Sequence, residues 1–293
     1  MNATRDKIIV GLSGGLGNQM FQYAAGRALS LDLCVELQLD LSWFAGREER
    51  TYALKDFSIT EQVLNPLDYL PETVQALESR IARRWFPSRM GGKVFREKHF
   101  HYDENFHQLK PAVYLEGYWQ SEKYFKNNSL QIVSDFAPKS EVPDRCLPIL
   151  SSIKETQAIC LHIRRGDYLT NATAAKTHGT CPISYYHQGV ELLVKNLNTP
   201  HCFIFSDDPE WVKENLSLPC PFTVVDVNNG NEANWDLFLM QSCLHFVIAN
   251  SSLSWWGAWL GIQNGKRVIA PKKWFLTTEK NTKDLIPSSW ETI

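Results

Sequence analysis

The second half of the chain alternates short apolar runs with helical patterns so regularly that few folds accommodate it. Apolar runs stand at residues 158–163, 201–205, 222–225, 245–249 and 267–269. Helical periodicity fills the intervals at 183–197, 209–216, 232–243 and 253–263. Strands without polar alternation, separated by helix-length segments, predict a parallel sheet with crossover helices. The chain opens in the same way. Residues 8–12 read as a buried strand and 13–17 as a glycine-rich turn. A helix follows over 18–30, with Met20, Ala24, Ala28 and Leu31 at helical spacing, and then a second strand over 35–39. The fold class is therefore α/β with two Rossmann-like domains. Two prolines among polar residues at 138–143 mark a connection, so the expected domains are 1–140 and 141–293. Residues 43–138 have no clear periodicity.

Composition excludes several functions. The 293 residues carry 30 Lys+Arg against 32 Asp+Glu, for a formal net charge of -2, which leaves no electrostatic footprint for nucleic acid. None of the 7 cysteines is spaced as CxxC or falls in a zinc pattern, and several sit in apolar runs, so reduced thiols are expected and no metal. Residues 1–6 lack a signal-peptide core, and no apolar stretch is long enough to span a bilayer, so a cytoplasmic location is expected. Residues 80–98 hold seven basic side chains and one acid. They read as a solvated or internally paired face, or as a membrane-surface patch that would allow peripheral contact at the inner face.

Chemistry gathers in the loops that follow strands. The turn carrying Gly15, Gly17, Asn18 and Gln19 opens a helix N-terminus, where free amides suit an anion. It lacks the third glycine of the dinucleotide fingerprint, which argues against an oxidoreductase, and no GxxxxGK[ST] occurs in the chain. A tight turn with close helix packing through Ala24, Ala25 and Gly26 is the competing reading. His162, Arg164 and Arg165 close a buried strand. A pair of guanidinium forks matches a diphosphate in charge and geometry, whereas an internal ion pair of Arg165 with Asp167 or Asp207 is the plainer alternative. Asp207 is placed to hold one arginine, and Asp208 before Pro209 reads as a helix cap. Asn250, Ser251, Ser252 and Ser254 join a strand to a helix, which suits either a phosphate cradle or ordinary capping by Ser252 or Ser254. Trp255 and Trp259, four apart on that helix, read as core. Asp236 suits either the N1–H and N2–H₂ donors of guanine or a favourable place near a helix start.

Taken together these loops resemble the α-1,2-fucosyltransferases, glycosyltransferase family 11. The matching blocks are GGLGNQMFQYAAGRAL at 14–29, GYWQSEKYF at 117–125, HIRRGDY at 162–168, THGTC at 177–181, FSDDPEW at 205–211 and ANSSLSWWGAWLG at 249–261. The resemblance implies a GT-B-like fold with two Rossmann-like domains facing a cleft, acceptor side first and donor side second. It implies inverting, metal-independent transfer of fucose from GDP-fucose to the 2-hydroxyl of a terminal galactose, with no cofactor. The acceptor would be an oligosaccharide, including one on a lipid carrier. Arg164 would grip the β-phosphate, His162 and Asp236 would meet guanine, and the serine loop would bind phosphates. Gly15, Gly17, Asn18 and Gln19 would line the acceptor side. Asp167 and His178 are the candidates for a general base. Another nucleotide-sugar transferase, a different fucosyl linkage and a non-catalytic sugar- or nucleotide-binding module remain as alternatives.

Overall fold

The computed structural model describes residues 7–47, 50–60, 62–64, 93–166, 176–228, 232–277 and 279–293. The chain forms two α/β units. The first runs to Lys139 and takes back Asn281–Leu285; the second comprises Ser140–Lys280 and Ile286–Ile293. The main boundary falls within the proline-flanked connection, but a single cut at 140/141 does not account for the returning segment. That segment belongs with the first unit through Asp284. Its carboxylate takes Lys123 Nζ at 2.6 Å and the Tyr102 amide at 3.2 Å, and its carbonyl accepts from the Ser121 hydroxyl at 2.6 Å.

In the first unit the described elements are β1 (Lys7–Gly11), α1 (Leu16–Leu33), β2 (Glu36–Asp40), β3 (Lys93–Arg96), β4 (Val113–Glu116) and α2 (Ser129–Asp135). The strands form a sheet in the order β2-β1-β4-β3, parallel throughout. Val10 lies between Leu39 and Leu115, so apolar residues continue across the sheet. Helix α1 is buried on nearly every side, from Met20, Phe21 and Tyr23 to Ala28 and Leu29. It packs so tightly on β1 that a Cβ at Gly26 would stand 2.1 Å from Val10 Cγ2. The close-packing reading of Ala24, Ala25 and Gly26 thus describes the helix. Its polar side chains are satisfied internally: Tyr23 Oη at 2.8 Å and Arg27 Nε at 3.0 Å both donate to Asp135 Oδ2 on α2.

The second unit contains α3 (Leu147–Glu155), β5 (Gln157–Ile163), α4 (Ile183–Val194), β6 (Pro200–Ser206), α5 (Pro209–Asn215), β7 (Phe222–Val225), α6 (Ala233–Gln241), β8 (His245–Val247), α7 (Ser252–Leu260), β9 (Val268–Ala270) and β10 (Glu291–Thr292). Its sheet is parallel in the order β10-β9-β8-β5-β6-β7. Counted from β5, this is the Rossmann order 3-2-1-4-5-6, whose switch point lies between β5 and β8. Ile159, Leu161 and Ile163 of β5 pack with Ile204 of β6 and with Tyr186, Val190 and Leu193 of α4. The Tyr185 hydroxyl reaches the carbonyls of Ile248 at 2.7 Å and Ile269 at 3.1 Å. Of the two tryptophans read as core, Trp255 is fully buried and Trp259 half-buried, stacked on it at 6.2 Å between ring centroids.

Strands β3 and β4 fall in the stretch without clear periodicity and are not foreseen. Within the basic run, residues 80–92 lie outside the described residues. Of the remainder, residues 93–96 form β3, and Arg96 Nε binds Glu116 Oε2 at 2.7 Å. Among the described residues no helix is long and apolar enough to cross a membrane. The cysteines are free thiols, four of them buried.

Candidate active site

In an open parallel sheet, ligands bind outside the carboxyl ends of the strands at the switch point. In the second unit those ends are Ile163 of β5 and Val247 of β8, and they lead into the double-arginine loop and the serine loop. Strand register then decides which side chains meet. Ile163 stands opposite Ser206, so the residues that follow lie side by side. Arg164 Nε binds Asp207 Oδ2 at 3.1 Å, and the Arg165 amide donates to Asp207 Oδ1 at 2.8 Å. One carboxylate therefore holds one arginine's side chain and the next one's backbone. Gly166 is required by the same contact, because a Cβ there would come 2.8 Å from Asp207 Oδ2. Of the ion pairs considered for Arg165, the one with Asp207 is made by Arg164 instead, and the one with Asp167 lies outside the described residues. Arg165 lies instead with its guanidinium carbon 3.5 Å from the Trp211 ring centroid, and its Nε is 3.6 Å from Asp208 Oδ2. Asp208 also caps α5, accepting from the Trp211 amide at 3.3 Å.

His162 is buried at the end of β5, and among the described residues its Nδ1 has no hydrogen-bond partner. Burial, and then the charge of Arg164, push its imidazole down to about 3, so the ring is neutral at working pH. Asp236 sits in the first turn of α6 and accepts from Asn228 Nδ2 at 2.8 Å. Burial lifts its carboxyl to about 6, against a smaller downward pull from Asn228.

The serine loop divides into framework and open groups. Asn250 is 2% exposed, and its Nδ2 donates to the carbonyls of His178 (3.0 Å), Gly179 (3.2 Å) and Trp274 (3.2 Å). Its Oδ1 accepts from Cys181 Sγ at 3.6 Å. The Asn250 side chain thus braces the loop. Ser254 is also buried, its Oγ turned to the carbonyls of Ala249 (3.4 Å) and Ser251 (3.2 Å), so its hydroxyl is internal as well. Neither Ser252 nor Ser254 caps the helix. The N-cap is Ser251, and its side chain makes no capping hydrogen bond, so the amides that open α7 are not closed off by their own N-cap residue. The His178 ring packs against Phe275 at 5.1 Å between centroids. Asp167 lies outside the described residues.

In the first unit the order β2-β1-β4-β3 puts the switch point between β1 and β4. Gly14 takes φ +75, as the glycine turn demands, and Gly15 precedes α1. Asn18 Oδ1 accepts from Gln120 Nε2 at 2.8 Å. Gln19 is fully buried. Its Nε2 donates to the carbonyls of Gly14 and Thr51, both at 2.9 Å, and its Oε1 accepts from the Ala53 amide at 2.9 Å. Its side chain is structural rather than lining an acceptor site, and Gly17 is likewise buried within α1. Gln22, not singled out in the sequence, does similar work, binding the Ser13 amide and hydroxyl and the Gly117 carbonyl.

A cavity of about 1190 Å³ opens at the carboxyl ends of these strands, bordered by Asp40, Trp43, Arg47, Arg96, Glu97 and Tyr118. None of these was foreseen. Asp40 carried a signal as a carboxylate directly ending an apolar strand, and Tyr118 as part of the block at 117–125. Glu97 shapes the wall, accepting from the amides of Tyr118 (2.8 Å) and Trp119 (3.0 Å), and Trp119 is thereby held at φ 57. Among the described residues no group of three or more His, Cys, Asp or Glu is placed to hold a metal.

Known proteins resemble this chain over nearly its whole length. It is 33% identical over 289 residues to an alpha-1,2-colitosyltransferase of Escherichia coli, covering 97% of each chain. It is 31% identical to the O-antigen biosynthesis glycosyltransferase WbnK of Escherichia coli, covering 95% of this chain and 98% of that one. Among solved structures, the fucosyltransferase NodZ from Bradyrhizobium superposes with a TM-score of 0.48 at 13% identity, over 86% of this chain and 92% of that one. The family model for glycosyl transferase family 11 matches residues 1–292, and the chain belongs to that family of glycosyltransferases.

Proposed function

We propose that this glycosyltransferase moves L-fucose from GDP-fucose to the 2-hydroxyl of a terminal galactose in a surface glycan, with inversion and without a metal. The observation that carries the reading is Arg164, fixed by Asp207 at the Rossmann switch point beside the strand that feeds helix α7. That pairing of a guanidinium with helix amides suits a diphosphate leaving group. In this reading Arg164 takes the β-phosphate. The amides that open α7 take the remaining phosphate oxygens. Asp236, ionised at neutral pH, accepts from guanine N1–H and N2–H₂, and the neutral His162 ring offers a further nitrogen.

As the sugar–phosphate bond breaks, negative charge grows on GDP. Arg164 and the α7 amides are already oriented towards it, so they stabilise the transition state more than the ground state. The acceptor hydroxyl attacks the oxocarbenium-like carbon from the opposite face. Its proton goes to Asp167 or His178, which substitution of each in turn distinguishes. The names of the relatives support an α-1,2 linkage and an O-antigen setting.

A second reading has a specific observation behind it, because one relative is a colitosyltransferase. Colitose is the 3-deoxy analogue of L-fucose, so the guanine and diphosphate contacts would serve either donor. The test is to incubate the protein with EDTA, a lactose-type acceptor and either GDP-fucose or GDP-colitose, reading GDP release, product mass and linkage. An α-1,2-fucosylated product with the higher kcat/KM for GDP-fucose supports the first reading. Preference for GDP-colitose selects the second. If neither donor is consumed or bound, both readings fall. Loss of turnover in Arg164→Ala with galactoside binding retained separates an enzyme from a binding module.

A further inference from the structure

The cavity of the first unit contains one group whose position the fold goes to some length to secure. Asp40 ends β2 at 3% exposure and borders the cavity. Its Oδ1 accepts from the Ser42 amide at 2.9 Å and its Oδ2 from the Tyr114 hydroxyl at 2.8 Å. Both donors are neutral, since burial and the nearby Asp40 charge keep Tyr114 protonated. Tyr114 reaches across β1 to do this, and only a glycine leaves it room, because a Cβ at Gly11 would stand 2.6 Å from the hydroxyl. A strand glycine and a buried tyrosine thus serve to orient a single carboxylate. Among the described residues those two donors are its partners. A buried carboxylate without a cation costs stability, and each oxygen keeps a further lone-pair site. Tyr118 lines the same cavity at 41% exposure, an aromatic side chain left in contact with solvent.

A rigid acceptor of hydrogen bonds and an exposed aromatic side chain in one cavity fit a neutral sugar, which offers hydroxyl donors on its rim and C–H groups on its face. We infer that Asp40 is the acceptor-recognition residue, taking hydroxyl hydrogen bonds from a galactoside whose ring lies on Tyr118. The inference rests on the glycosyltransferase reading for the identity of the sugar, but not on the donor.

Asp40→Asn keeps the shape and removes the charge; Tyr118→Ala removes an exposed ring. The experiment titrates lactose into each variant by saturation-transfer NMR, with and without GDP, and follows GDP affinity by calorimetry and Tm in parallel. The expected result is a loss of lactose affinity of about tenfold or more in each variant, equivalent to one good hydrogen bond or one stacked ring. GDP affinity and the Tm of Tyr118→Ala should stay at wild-type values, and acceptor KM should rise more than kcat falls. Unchanged lactose affinity in both variants, a parallel loss of GDP affinity, or no lactose binding to the wild-type protein overturns the inference. A wild-type protein that binds lactose but not GDP defeats the donor assignment and leaves this one standing.

Discussion

At the scale of single residues, the site is built from side chains that hold other side chains. Asp207 fixes both Arg164 and the Arg165 amide, so Asp207→Ala should misplace the guanidinium while leaving it present. Displacements of about 1 Å at a reacting centre cost about 10²-fold in rate. We expect kcat to fall by that order with acceptor KM within about twofold. Steady-state kinetics with donor saturating checks it, and unchanged kcat would remove Asp207 from the site. Asp236 gives a pH signature. Its carboxyl is lifted to about 6 by burial, so it is ionised above that value and protonated below it. Guanine donors need the ionised form. GDP-fucose affinity should therefore be full at neutral pH and decline as pH falls through about 6. Asp236→Asn should bind weakly and lose this dependence. The sugar nucleotide, a diphosphate diester, keeps its own charge through the range, so calorimetry against pH isolates the residue. The sequence identified Asp207 as a partner for one arginine but not which one. That choice is set by the register of Ile163 opposite Ser206, a pairing across 43 positions of sequence that no local pattern encodes.

At the scale of elements, legibility follows burial. β5 to β9 of the second unit are apolar runs, and each sequence segment lies within a few residues of its strand, whereas β10, the exposed pair Glu291–Thr292, carries no such signal and was not foreseen. β3 and β4 are four residues each and end in charged side chains, and β3 is only half-buried. β4 owes its place to pairing with β1, and β3 to pairing with β4, rather than to a period of their own. The serine loop misled in another way. Its residue types suit a cradle, yet Asn250 and Ser254 face inward to hold the loop. Helix α1 allows two opposing effects to be weighed. Gly26→Ala should gain about 1 kcal/mol of helix propensity. The added methyl meets Val10 at 2.1 Å, however, and overpacking costs about 1–3 kcal/mol or more. The clash should win, and chemical denaturation should read a net loss of stability. A stabilised variant would mean that α1 can move off β1.

At the scale of the whole molecule, each unit has its own parallel sheet, and neither unit is contiguous in sequence. The first borrows Asn281–Leu285 from near the far end, through Asp284. Asp284→Ala leaves the part-buried Tyr102 amide without its acceptor, a loss of about 1 kcal/mol or more, while the exposed Lys123 pair adds little. We expect a lower Tm with the Arg164 chemistry intact when measured well below it. An unchanged Tm would make the returning segment dispensable.

The same segment also sets an order of events during synthesis. Domains ordinarily fold as they leave the ribosome, the amino-terminal one first, at about 5–20 residues per second. Here the first unit is not complete until residue 285 has been made. For the roughly 7–30 s that the intervening residues take at that pace, its binding place for Asn281–Leu285 stands open. A nascent chain that waits this long for its last piece is the form in which this protein is most in need of a chaperone.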